Sequence, residues 1–597
     1  MAPSVAAAGG AAGGDAGDGL REFLVLFAHH NMYFNMRFQE LEAIAGLIGI
    51  SSRDELYVDV PAPTALSASP LALVRLPSEE AARKLCERAV LIKAVLEVWA
   101  SGPSYEELVE QTLAAGEATR ERRRRFLAPP QTFQIRVAAY GRTATMEDKR
   151  GIFDKLRPLF DGDEIANLQD PDTTVWALEE HSHHTDEKTH LGPRSNNPNR
   201  IFVCRQVAGG RSIDKKLKSG EKAYFQRYDL SQRAVLGPTT LDNELAFIMA
   251  NCACVQEGQV ALEPFCGTGG LLVAMSHFGA RLVGGEIDIR VVKGWRVAYT
   301  KNKDAAEETV RARGFATTKS KTGDGCTLGS GDQAKEVDVN ALLDRSGAMR
   351  LGYLAAIGLT PELDPGLKPL EHVEESRTKA EVLVKDGSAN HGRDIFTNFV
   401  QYQHQLPEIV VCDNSSKPWR RVDGGWADCI VTDPPYGVRA GAKKQGRDPE
   451  RGPVEIRDLA TYIPPKVSYG EDELAEDLLV LASEALRDGG RLVFLAPVDL
   501  ADFLGIDRAA AERGGGPRGN LHGTVFPKDG RKKDPRLCIS ETTRDPLLLD
   551  EARYTDFLPA HRDMELMGAS LQVLSGGLGR LLVTMRRRPR GGISQVQ

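Results

Sequence analysis

Apolar and polar positions follow one rhythm before about residue 230 and another after it. In the first part, Arg21–Ala28 reads as a strand, and Thr132–Tyr140 and Arg200–Val207 alternate with the period of two that turns one strand face to a core. Met36–Ile50, Ser78–Leu91 and Met146–Phe160 carry apolar residues at helical spacing instead. The mixture predicts an α+β region over residues 21–230 with no catalytic signature of its own. Residues 1–20, rich in Ala and Gly, read as a disordered tail.

From residue 231 to 597 strands and helices alternate, which predicts the α/β class with a parallel, Rossmann-like sheet. Val260–Glu263 is a strand, followed by a glycine turn and a helix over Gly270–Phe278. Arg281–Glu286 is the next strand and Arg290–Tyr299 the next helix, with further strands at Glu408–Cys412, Asp428–Thr432 and Arg491–Ala496. A helix over Glu473–Leu486 places Leu474, Leu478, Leu481 and Ala485 on one face, and Asp488-Gly489-Gly490 is read as its stop. Leu571–Leu574 and Arg580–Met585 flank Gly576-Gly577 as a hairpin. Residues 303–395 and 506–550 lack the rhythm and are expected to be insertions at the sheet's periphery.

Composition narrows the function classes. At 597 residues, 41% hydrophobic and 27% charged, the chain fits a soluble protein of two or more domains, with no run apolar enough for a membrane span. A net charge of −7 withholds the basic field usual for nucleic-acid binding, so any RNA contact must come from local patches, shape or a partner. Arg122–Arg125 is the densest basic run, either a solvated helix end or a phosphate contact. Nine scattered cysteines without a Cys-x-x-Cys pair, and no secretory or transit pattern, point to a reducing compartment, the cytoplasm. His181, His183, His184 and His190 lie among Asp186, Glu187 and Lys188 and read as a solvated loop, so no metal is expected.

Three motifs carry the chemistry. Glu263-Pro264-Phe265-Cys266-Gly267-Thr268-Gly269-Gly270 stands where a strand hands over to a helix, and its glycines allow a ligand close to the backbone. Gly284-Gly285-Glu286-Ile287-Asp288 ends the next strand; Glu286 is positioned to accept hydrogen bonds from ribose hydroxyls, and Asp288 to cap the following helix. Together these suit an adenosine-type cofactor, either NAD or S-adenosylmethionine. Asp433-Pro434-Pro435-Tyr436 decides for the second. Its prolines remove two N–H donors and fix carbonyl acceptors, Asp433 accepts, and Tyr436 offers an aromatic face, a set that suits a base bearing an amino group. Asp413-Asn414 either binds the cofactor's adenine or makes a turn.

With these motifs in this order, the chain resembles class I amino-methyltransferases. Leu236–Asn251, Arg200–Arg211 and Thr432–Arg439 sharpen the likeness to the catalytic subunits of eukaryotic tRNA (guanine-10-N2)-methyltransferases, from about Arg21 to Arg588. The resemblance implies a THUMP-containing tRNA-binding half, a methyltransferase half that uses S-adenosylmethionine, tRNA as substrate, and a small zinc-binding activator subunit as partner in a heterodimer. It places Glu263, Phe265, Gly267, Gly269, Glu286, Asp413 and Asn414 at cofactor positions, Thr239 and Thr240 on a segment folded over the cofactor, and Asp433, Pro434, Pro435 and Tyr436 in the base pocket. Glu263 and Glu286 stand where the family commonly has Asp, which keeps the charge on a longer arm. The competing readings are an adenine-N6 methyltransferase, a catalytically silent RNA-binding scaffold and an NAD-dependent oxidoreductase.

Overall fold

The computed structural model describes residues 20–28, 32–64, 69–140, 144–181, 198–210, 223–237, 240–292, 326–328, 335–337, 395–435, 442–446, 465–499, 554–574 and 578–590. Two compact units emerge, one of Met1–Ala223, Asp499–Arg553 and Ser570–Gly579 and the other of Tyr224–Val498, Tyr554–Ala569 and Arg580–Gln597. Of the expected features, the tail, the stretch 506–550, most of 303–395, Thr239, Tyr436, His183, His184, His190 and most of the helix over Arg290–Tyr299 lie outside the described residues.

The first unit is built on seven strands: β1 (Arg21–Phe27), β2 (Leu71–Leu76), β3 (Ile92–Gly102), β4 (Thr132–Tyr140), β5 (Ile165–Ala166), β6 (Thr173–Glu180) and β7 (Arg200–Gly209). Their order in the sheet is β2-β1-β3-β7-β6-β4-β5. The apolar run of β1 has a simple cause: both faces are buried. Phe23, Val25 and Phe27 pack with Phe38, Leu41 and Ile44 of the helix Arg37–Leu47, while Leu24 and Leu26 join a second cluster with Leu96, Trp176 and Phe202. Ser78 caps the helix Glu79–Arg88 by accepting from the Ala81 N–H at 3.1 Å.

In the second unit come β8 (Val260–Glu263), β9 (Arg281–Glu286), the small pair β10 (Cys326–Leu328) and β11 (Lys335–Val337), β12 (Glu408–Val411), β13 (Ala427–Thr432), the pair β14 (Lys443–Gln445) and β15 (Lys466–Ser468), then β16 (Leu486–Asp499), β17 (Met564–Val573) and β18 (Leu578–Arg587). The main sheet runs β12-β9-β8-β13-β16-β18-β17, and the pairs β12–β9, β9–β8, β8–β13 and β13–β16 are all parallel. The helix Glu471–Ala485 buries Leu474, Leu478, Leu479, Ala482 and Ala485. Leu479 and Ala482 are thus part of its inner face, while Leu481 is only half-buried.

One sequence expectation is corrected here. Asp488-Gly489-Gly490 does not stop that helix, which ends at Ala485, but bulges out of β16. Ala427 of β13 faces Leu486 while Cys429 faces Arg491, and Gly489 takes a positive φ of 79° in the excess chain. The helix stops earlier because strand pairing with β13 captures Leu486 first. Among the described residues no helix is long and apolar enough to cross a membrane.

Candidate active site

Topology fixes where a ligand can sit in the second unit. The chain moves outward from β8 through β9 to β12 on one side, and β13 and β16 lie on the other, so the winding reverses between β8 and β13. Open parallel sheets bind ligands beyond the carboxyl ends of their strands at such a reversal. Cys429 pairs with Ala261 and Ile430 with Leu262, so Glu263 and Asp433 leave adjacent parallel strands at the same edge. The glycine turn and the Asp-Pro-Pro segment therefore share one side of the sheet.

At the glycine turn, Gly267 has φ 50° and Gly269 φ 78°, a region that a Cβ strongly disfavours. A Cβ on Gly267 would meet nothing within 4 Å, so the space above that residue is open. The Cys266 N–H donates to the Gly285 carbonyl at 2.8 Å, which holds the turn against the end of β9. Gly285 leaves no room for a side chain: a Cβ there would lie 2.8 Å from the Pro264 carbonyl oxygen and 2.8 Å from the Trp419 ring. Phe265 packs against the cluster of Ala442, Tyr469 and Leu474.

Glu263 is the unusual carboxylate of this turn. It is 3% exposed, and among the described residues its Oε2 has no hydrogen-bond partner. Burial above all, and then the negative charge of Asp433, push its carboxyl well above the ordinary range, against a hydrogen bond from the Leu272 N–H. That Asp433 acts on Glu263 electrically agrees with their places at the ends of neighbouring strands. Pro434 is buried, and Asp433 and Pro435 are half-buried.

Glu286 braces the turn. Its Oε2 accepts from the Gly267 N–H at 2.9 Å and its Oε1 from the Asp288 N–H at 2.8 Å. Burial raises its carboxyl, and these two N–H groups work against the rise, as does Lys466 on β15. Asp288 accepts from the Arg290 N–H at 3.0 Å, the capping bond its position predicts. Lys466 also lies 3.4 Å from Asp288, a contact without a signal in the sequence.

Asp413 and Asn414 make bracing contacts. Asp413 accepts from the Ser415 N–H at 3.0 Å and from the Gln445 N–H at 2.5 Å, joining the turn after β12 to β14. The Asn414 amide donates to the Pro264 carbonyl and accepts from the Trp419 indole N–H at 2.7 Å. Trp419, which sequence reasoning missed, thus supports both Asn414 and Gly285. Thr240 reaches the glycine turn, its hydroxyl 3.1 Å from that of Thr268.

In the first unit, Arg122–Arg125 lies in the helix Glu117–Leu127, and most of the run is committed to internal contacts. Arg122 donates to Glu97 at 2.8 Å, Arg124 pairs with Asp161 at 2.5 Å, Arg123 is buried, and Arg125 is exposed. His181 departs from the solvated-loop expectation: it is buried, with its Nε2 3.0 Å from Glu179, which also accepts from the Tyr105 hydroxyl. Asp161, Asp163 and Glu164 form an acidic group close enough to hold a cation, but the Asp161 and Gly162 N–H groups already donate to Glu164, as a loop-closing turn requires.

The donor set fits S-adenosylmethionine. A buried carboxylate oxygen without a partner among the described residues, open space above a positive-φ glycine and a second carboxylate at the end of β9 are what a cationic, ribose-bearing ligand can use.

Two family models and several curated proteins resemble the chain. Residues 21–212 match the Tmrp11 THUMP N-terminal domain, and residues 231–326 match the RMKL-like methyltransferase domain. The chain is 27% identical over 494 residues to the tRNA (guanine(10)-N(2))-methyltransferase TRMT11 of Homo sapiens, covering 81% of each chain. It is also 27% identical over 493 residues to TRMT11 of Dictyostelium discoideum, covering 80% of this chain and 74% of that one. Among solved structures, TrmN from Thermus thermophilus aligns over 95% of this chain and 100% of its own, at 12% identity and a TM-score of 0.34. A match to a THUMP N-terminal domain followed by a match to a methyltransferase domain, in that order, makes the chain similar to TRMT11 over about four fifths of its length.

Proposed function

We propose that the chain methylates the exocyclic N2 amine of guanosine 10 in tRNA, with S-adenosylmethionine as the methyl donor. The observation that carries this reading is the pairing of β8 with β13, which brings Glu263 and Asp433 to one edge of the sheet at its winding reversal. The bound cofactor supplies a methyl group on a sulfonium that is already electrophilic. Guanine N2 is a poor nucleophile because its lone pair is delocalised into the ring. In this reading Asp433 and a carbonyl of Pro434 or Pro435 accept the two N–H groups, turn the lone pair toward the methyl and fix its line of approach, while Tyr436 stacks on the base. Orientation of this kind supplies about 7–11 kcal/mol of rate acceleration. Asp433 is also placed to take up the departing proton, directly or through water.

On the cofactor side, Glu263 and Glu286 serve as the carboxylates, Gly267 and Gly269 as the backbone cradle, and Phe265, Thr239 and Thr240 as its walls. Asp413 and Asn414 act through the turn they brace. The test is methyl transfer to tRNA that lacks the modification, followed by mass spectrometry of its nucleosides. Asp433→Ala is expected to lower the rate about 10²–10⁴-fold with tRNA binding unchanged. Transfer at the parental rate, or a product other than N2-methylguanosine, overturns the reading.

A small zinc-binding activator subunit, in the cytoplasm, completes the proposal. It is supported by β12, one of the two edge strands of the main sheet among the described residues, where Val410 and Val411 are 41% and 47% exposed. An edge strand with apolar, uncovered side chains is a ready pairing surface for a second chain. Val411→Asp should abolish co-purification with the activator while the circular dichroism spectrum is kept. Undiminished co-purification sinks this assignment.

A further inference from the structure

Immediately after the long stretch that ends at residue 394, the helix Ile395–Gln401 returns to the glycine turn. A Cβ on Gly269 would lie 3.2 Å from Ile395 and 3.4 Å from Phe399, so this helix packs directly on the turn. Two carboxamides three residues apart on it, and so on one face, grip the backbone of residues 232–235. Asn398, 0% exposed, accepts from the Val235 N–H at 2.9 Å and donates to the Val235 carbonyl at 2.9 Å. Gln401 grips two neighbouring positions, accepting from the Ala234 N–H at 2.8 Å and donating to the Gln232 carbonyl at 2.6 Å. Each amide thus satisfies a backbone donor and acceptor as a neighbouring strand would. Asn398 also donates to the Thr268 carbonyl at 3.4 Å, inside the glycine turn.

The gripped segment leads into the glycine turn a second time. Gly237 donates to the Thr240 hydroxyl at 2.7 Å, that hydroxyl lies 3.1 Å from the Thr268 hydroxyl, and a Cβ on Gly237 would press within 3.1 Å of Thr268. Asn398 therefore holds both sides of one circuit: residues 232–237 with Thr240 on the outside and Thr268, between the two positive-φ glycines, on the inside.

We propose that Asn398, assisted by Gln401, is a positioning residue that sets the shape of the cofactor cradle through this circuit without touching the reacting atoms. The proposal rests on the reading of the glycine turn as the S-adenosylmethionine site. It predicts that loosening the grip weakens cofactor binding and leaves the turnover of the saturated enzyme almost intact.

The test compares Asn398→Ala and Gln401→Ala with the parent full-length chain, by calorimetric titration with S-adenosylmethionine and by methyl-transfer kinetics. Loss of one or two buried hydrogen bonds predicts a dissociation constant and a KM for S-adenosylmethionine raised about tenfold for Asn398→Ala, and about threefold for Gln401→Ala. The kcat should change less than twofold in both. Gln401 is half-buried, so its variant stays folded and informative if Asn398→Ala does not. Folded variants that bind S-adenosylmethionine as tightly as the parent, or that lose kcat at unchanged KM, overturn the proposal. A parent chain that binds no S-adenosylmethionine overturns the cofactor-site reading itself, an outcome separate from the other two.

Discussion

Two buried glutamates, one in each unit, show opposite uses of the same side chain. Glu97 on β3 is 2% exposed and surrounded by donors. Arg205 donates to it at 2.7 Å, Arg122 at 2.8 Å and the Trp99 indole at 3.1 Å. Burial alone would raise its carboxyl, but the hydrogen bonds and charges of Arg205 and Arg122 outweigh burial and hold it below the ordinary range. Glu263 is as deeply buried, its Oε2 has no hydrogen-bond partner among the described residues, and Asp433 adds to the cost of ionising it. A carboxylate that holds a sheet together is satisfied within the fold. Glu263 is left incomplete among the described residues, which is what the proposed cofactor role asks of it.

The contrast can be broken most severely at Glu97. Glu97→Ala leaves Arg205, only 8% exposed, with Glu79 at 2.5 Å as its remaining carboxylate, so the loss should fall at the low end, about 3 kcal/mol, of what breaking a buried ion pair costs. Chemical denaturation should show this loss, and a loss below 1 kcal/mol would mean that the cluster is decorative. Because the folded carboxyl is held below its unfolded value, its contribution is fully present above about pH 4.3 and disappears as pH falls through the folded value. The parent should therefore lose stability to acid more steeply than Glu97→Gln.

The effect at Glu263 is smaller and of opposite sign. Its folded carboxyl is raised, so the folded chain keeps a proton that the unfolded chain releases. The group then subtracts stability progressively as pH rises from about 4.3 toward its folded value. Glu263→Gln should match the parent near pH 4 and melt at a higher temperature than the parent at neutral pH, while its affinity for S-adenosylmethionine falls. A variant less stable than the parent at pH 7.5 would show that Glu263 is a structural group like Glu97.

Much of the fold was legible because local apolar pattern reports burial. The run Val260–Glu263, the turn after it and the strand Arg281–Glu286 lie where the sequence places them, since a central parallel strand is apolar on both faces and a positive φ calls for glycine. Asp488-Gly489-Gly490 was misread because glycines that end a helix and glycines that bulge from a strand look alike without the partner strand. Asp413 and Asn414 were ambiguous for a similar reason: the bond from Asn414 to Pro264 spans 150 residues, and no local window contains both ends. Asn398 had no signal at all, since it lies in a short helix behind a stretch without periodicity.

By itself the sequence determined the strands β8, β9 and β13, the glycine turn, the carboxylate that ends β9 and the Asp-Pro-Pro segment, because each is written in neighbouring residues. Only the tertiary structure decided that β8 lies beside β13, that Glu263 is left with a bare oxygen while Glu97 is enclosed by arginines, and that Asn398 closes a circuit around the turn. Those outcomes depend on which distant groups meet after chain entropy has been overcome, and on whether a buried polar atom finds a partner there.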